Sequence, residues 1–184
     1  MKKTTLKKIT TLLTVFALAL SMTLTAVADD SMDSRSATGI QYLQKQYPSG
    51  STYSDEFDGA TECMGFAYYC YYMYNDEHVN ETISDSSSSS KYYSLSSDTN
   101  LEKFLKKAGT QCYVRGKTSS GAYHSIFIIG YSTSNDTVTV YDCNMDGKCT
   151  VLLDTYTYDE FRTHMSSVLF CYTSGEVFYD CSDF

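Results

Sequence analysis

Residues 62–75 read ECMGFAYYCYYMYN, and the fold turns on how that stretch is taken. Cys63, Phe66, Ala67, Cys70 and Tyr74 fall at i, i+3, i+4, i+7 and i+11, the spacing of one helical face, so the segment is expected to be a helix opening at Glu62. Upstream, Ile40, Leu43 and Tyr47 repeat at helical spacing and Pro48-Ser49-Gly50 stops them, which predicts a first helix over 38–47 and a loop over 49–61. Downstream, residues 84–99 contain five consecutive Ser and read as a surface insertion. Asn100 is placed to cap a short helix, Leu101 to Ala108, that Gly109 ends.

Beyond Gly109 the period changes from helical to alternating. Strands are expected at Gln111–Arg115, His124–Tyr131, Thr137–Tyr141, Thr150–Leu153 and Val168–Tyr172, with a short helix from Thr157 to His164. Helices first and an antiparallel meander after them define an α+β plan.

The helix carries a chemical feature at its start. A thiol on the first turn faces unpaired backbone N–H groups and the positive end of the helix dipole, both of which favour the thiolate. His124 opens the most apolar strand, a setting where histidine is ordinarily structural. The hairpin that follows alters that reading. With a turn centred near Thr133 or Ser134, the residue opposite His124 is Asp142 or Asn144, and either has the parity to share the imidazole's face. Cys63 as nucleophile, His124 as base and then acid, and Asp142 or Asn144 as orienter make a complete set for acyl transfer.

These residues resemble a known superfamily. The run Glu62-Cys63-Met64-Gly65-Phe66 is similar to the nucleophile-helix motif of NlpC-type cell-wall peptidases. The His124 strand leading to Asp142-Cys143-Asn144 looks more like CHAP domains. Both are papain-like, which implies an N-terminal nucleophile helix packed on a small antiparallel β-sheet across residues 38–184. The resemblance implies a cysteine peptidase or amidase acting on peptide or peptidoglycan, with an oxyanion held by the Cys63 N–H and a second donor for which Tyr53 is the candidate. A Glu stands at position 62 where CHAP domains usually carry Gln, and Gly109-Thr110 replaces a common Gly-Asp step. Other readings of the same chain are an extracellular protease or toxin-like effector, or an inactive disulfide-stabilised binding domain.

The rest of the chain sets the context. Lys2, Lys3, Lys7 and Lys8 precede an apolar run from Leu12 to Leu20 and a small-x-small step at Ala26-Val27-Ala28. That is the pattern of a signal peptide over 1–28, cleaved after Ala28, with residues 29–37 as a loose leader. A secreted domain is expected, with no membrane attachment after cleavage. The 156 residues left would hold ten basic and twenty-two acidic side chains, a net charge of −12 that opposes nucleic-acid binding. Seven Cys, an odd number, leave at least one thiol without a partner in the chain, and Cys63 is the preferred one. The Cys143 to Cys149 spacing suggests a small disulfide closing the intervening loop. Asp142, Asn144 and Asp146 begin like a calcium loop, but Leu153 stands where a bidentate Glu belongs, so no metal site is assigned. His78 and His164 are expected in solvated or helix-capping roles. No cofactor is implied, and oligomeric state is not specified.

Overall fold

The computed structural model describes residues 34–79, 92–173 and 176–178; the expected signal peptide, the first half of the Ser-rich insertion (84–91) and Cys181 lie outside them. The elements are helix α1 (Ser34–Gln46), α2 (Glu62–Asn75), strand β1 (Tyr93–Ser94), α3 (Asp98–Ala108), β2 (Cys112–Lys117), β3 (Tyr123–Ser132), β4 (Thr137–Cys143), β5 (Val151–Thr157), α4 (Tyr158–His164), β6 (Ser167–Thr173) and β7 (Glu176–Phe178). The architecture is α+β, and every strand pair is antiparallel.

One seven-stranded sheet runs β1-β6-β2-β3-β4-β5, with β7 added to β6. The expected meander holds from β2 to β5. β6 then crosses back to pair with β2 instead of extending beyond β5. Where α1 was expected to start at 38, the helix already includes Ser34–Ala37, so part of the expected leader is helical. Ser97 rather than Asn100 caps α3, its hydroxyl accepting from the Asn100 N–H, and the helix ends at Gly109 with φ 72°. β5 is longer than expected because Thr155 and Thr157 alternate with a buried Tyr156 and keep the pairing with β4 going to Thr137.

The central strands are buried on both faces, which explains the unbroken apolar run in β3. Tyr113, Phe127, Ile129 and Tyr141 pack with α1 and α2 through Leu43, Phe66, Ala67, Cys70, Tyr71 and Tyr74. Val114, Ile126, Ile128, Val138 and Val140 pack with α3 and α4 through Leu101, Phe104, Leu105 and Phe161. Tyrosine does much of the work that Trp would do in a core, with its hydroxyl turned to a backbone carbonyl or an acid: Tyr141 donates to Leu43 O at 3.2 Å and Tyr172 to Glu77 at 3.1 Å.

An irregularity in the β3–β4 hairpin matters for the site. Gly130 pairs with Thr139 but Ile128 pairs with Val140, so Ile129 is an extra residue, a β-bulge. Phe127 pairs with Tyr141, and three further steps of that register would bring His124 opposite Asn144, with Asp142 two residues away on the same face. Without the bulge the parity would be reversed.

Candidate active site

α2 begins abruptly. Thr61 sits at its N-cap in extended conformation with no side-chain cap bond, and Glu62 adopts φ +53°, uncommon for a residue with a Cβ. The first intrahelical bond runs from Gly65 N to Thr61 O at 3.0 Å, so the Cys63 amide lies ahead of the helical ladder, among the N–H groups that give the terminus its positive character. Gly65 is required here. A Cβ at this position would stand 2.3 Å from Ala60 O, because the incoming loop folds back tightly over the first turn.

Cys63 is brought to His124. Burial pushes the Cys63 thiol up, but the His124 imidazole, the Ser125 backbone and the Arg115 guanidinium favour the thiolate and together lower it from its usual range. Cys70, Cys143 and Cys149 go the other way, pushed up first by burial. Of these four thiols Cys63 alone is lowered.

His124 Nε2 stands 3.5 Å from Asp142 Oδ2, with side chains only 4 % and 0 % exposed. That is an ion-pair contact rather than a hydrogen bond, since His124 Nε2 and both Asp142 oxygens are buried without a hydrogen-bond partner. Burial alone would hold the ring below its ordinary value, but Asp142 and Cys63 push it up to about 9. With Nε2 turned towards the carboxylate, Nδ1 is the nitrogen left for the thiol.

Asn144, the alternative orienter, is directed elsewhere. It leaves the strand with φ +71°, donates from Nδ2 to Glu62 Oε2 at 2.8 Å, and accepts from the Cys149 N–H at 2.9 Å. It ties the 144–150 loop to the start of α2. The expected Cys143–Cys149 disulfide is not formed: both thiols are free, Cys143 buried in the core and Cys149 half-buried at the loop's end. Asn144, and Asp146 accepting from Lys148 N and the Thr150 hydroxyl, close the loop without it. Cys70, Cys112 and Cys171 are free as well, so the odd count does not by itself single out Cys63. Among the described residues no group of three His, Cys, Asp or Glu side chains is arranged to hold a metal ion.

Tyr53 is buried with its ring edge-on to Tyr47 and Phe66 at 5.3 and 5.2 Å. Its hydroxyl has no hydrogen-bond partner and lies 3.4 Å from where a Cβ of Gly65 would be, against the first turn of α2. His78 pairs with Asp58 on the surface. His164 departs from expectation: it is 16 % exposed, stacked on Tyr156 at 4.1 Å, with Nδ1 3.9 Å from Asp142 Oδ2. Burial holds it below its ordinary value against the pull of that carboxylate. Asp142 thus lies between two imidazoles, one from β3 and one from the last turn of α4. His164 and Arg115 carried no signal in the sequence, because what qualifies them is proximity across the sheet.

No family model matches this chain, and no curated protein matches it in sequence. Among solved structures it is similar to one described as an X-ray crystal structure of PlyC, at 15 % identity and a TM-score of 0.43 over 73 % of this chain. The match covers 35 % of that chain, so this protein spans about a third of its length.

Proposed function

We propose that the protein is a secreted, papain-like cysteine hydrolase that cleaves amide bonds, with Cys63, His124 and Asp142 as its triad. The observation that carries this is one arrangement: a thiol at an uncapped helix start, lowered from its usual range by an imidazole that itself stands 3.5 Å from a buried carboxylate. In the first half-reaction the Cys63 thiolate adds to the carbonyl carbon. The oxyanion is met by the Cys63 N–H, with the orphaned Tyr53 hydroxyl as the candidate second donor. The C–N bond then breaks as His124 gives its proton to the leaving amine, leaving a thioester. In the second, His124 takes a proton from water, the hydroxide adds, and the C–S bond breaks to release the acid and restore the thiolate.

The substrate we propose is the peptide portion of bacterial cell wall, on the resemblance of residues 62–66 and 142–144 to CHAP and NlpC-type domains and on the export pattern of residues 1–28. Release of new amino groups from purified wall, measured for the protein and for Cys63→Ala, tests the assignment. The variant is expected to lose activity by about 10⁴-fold or more while keeping its fold. Undiminished release by Cys63→Ala refutes it.

A further inference from the structure

The strands that present His124 also carry a basic and aromatic cluster, of which so far only Arg115 has been given a part, in favouring the Cys63 thiolate. The β2–β3 register sets Arg115 opposite Ser125 and Lys117 opposite Tyr123, so all four project on one face. Arg115 Nη1 donates to Ser125 Oγ at 3.1 Å, and Ser125 is the residue next to His124 on β3. From there the face runs outward. Arg115 Cζ lies 5.3 Å from the centre of the Tyr123 ring, and Lys117 Nζ lies 4.3 Å from that of Tyr92 and 5.2 Å from that of Tyr123. Tyr92 donates its hydroxyl to that of Tyr123 at 2.9 Å, and Tyr123 is 53 % exposed, one of two large apolar side chains so open among the described residues.

Two observations give the cluster a meaning. The sequence carries 22 acidic against 14 basic residues, yet Arg115 acts on the nucleophile and Lys117 follows two residues further along the same strand face. Their heads are also seated over ring faces, so little side-chain freedom remains to be lost when an anion arrives. The acid on the first turn of α2, Glu62, is engaged by Asn144.

We propose that Arg115, Lys117, Tyr92 and Tyr123 form a substrate subsite for a carboxylate next to the scissile amide, so that the enzyme selects acidic peptides. This rests on the assignment of Cys63 as nucleophile and goes further by naming the chemistry of what is bound. The guanidinium and ammonium meet the carboxylate, and the exposed Tyr123 ring covers the adjoining chain.

Alkylation of Cys63 provides a test that needs no knowledge of the substrate. Iodoacetate carries a carboxylate and iodoacetamide does not, and both meet the same thiolate, so the ratio of their rates cancels any change in its ionisation. Rates at Cys63 are followed by peptide mass spectrometry in the purified protein. Lys117→Gln and Arg115→Gln are each expected to lower the iodoacetate to iodoacetamide ratio by about three- to tenfold, the effect of one unit charge a few ångström away in a wet site. Lys117→Arg, which keeps the charge, is expected to keep the ratio, and thermal melts identify any variant that has unfolded. A ratio unchanged within about twofold in both Gln variants, or a fall in Lys117→Arg equal to that in Lys117→Gln, overturns the subsite. Neither result depends on hydrolysis, whereas failure of the hydrolase reading shows as amide cleavage that survives Cys63→Ala.

Discussion

Of the histidine–aspartate contacts among the described residues, the surface pair His78–Asp58 and the buried pair His124–Asp142 are ranked by distance in the wrong order. His78 and Asp58 approach to 2.6 Å with side chains 60 % and 26 % exposed, beside the Phe57 ring that stacks on His78. His124 and Asp142 stand 3.5 Å apart with 4 % and 0 % exposed. At the surface, water screens the charges and solvates each partner separately, so a short contact does little beyond fastening the 55–60 loop near the end of α2. In the interior a charge without a partner is costly, and the carboxylate's neighbourhood helps raise the imidazole above its ordinary value. The buried pair also has a third member, Cys63, on one side and His164 on the other. Burial and additional partners, rather than closeness, separate a pair able to do chemistry from a surface clasp.

That contrast is open to attack at both ends. The largest effect is expected from Asp142→Asn, which keeps the shape and removes the charge: kcat/KM should fall by about 10²- to 10⁴-fold. A loss within threefold would mean that the carboxylate does not hold the ring.

A smaller effect concerns pH. The Cys63 thiol is lowered from its ordinary value and His124 is raised to about 9, so the thiolate–imidazolium pair exists between those limits. The rate of hydrolysis should rise as the thiol ionises and fall as pH climbs through about 9, where the ring loses its proton. Because Asp142 raises the His124 value, Asp142→Asn should bring the upper limb down in pH. An upper limb that stays in place would separate Asp142 from the titration. The limbs belong to the coupled pair, not to either residue alone.

The smallest effect is expected at the other pair. His78→Ala should change stability in chemical denaturation by no more than about 1 kcal/mol, with kcat/KM unchanged within about twofold. A larger loss of activity would show that the surface pair reaches the site.

Much of this was legible from residue spacing. The 62–75 helix, the α3 stop at Gly109, the β3–β4 hairpin and the α4 segment follow from periodicity and end signals, which act locally. The candidacy of Cys63 and His124 was legible for the same reason, since a helix start and a strand start each offer a defined environment. Other features depended on distant partners. β1 is two residues long and exists only because β6 lies beside it. The return of β6 to β2 is a choice between sheet edges that no residue of β6 announces. The Cys143–Cys149 spacing suited a disulfide, but Cys143 points into the core and hydrogen bonds from Asn144 and Asp146 close the loop.

The sequence by itself determined where the thiol and the imidazole stand on their own elements, and it narrowed the orienting residue to Asp142 or Asn144. Only the tertiary structure separates them in position: Asp142 Oδ2 stands 3.5 Å from His124 Nε2, and Asn144 turns to Glu62. A single extra residue at Ile129 sets which side chains of β4 share a face with His124, and the left-handed turn at Asn144 takes that side chain away to Glu62. Both are backbone events governed by how β4 is held between β3 and β5. Local periodicity fixes which residues alternate, while the packing of neighbouring strands fixes the register in which they meet.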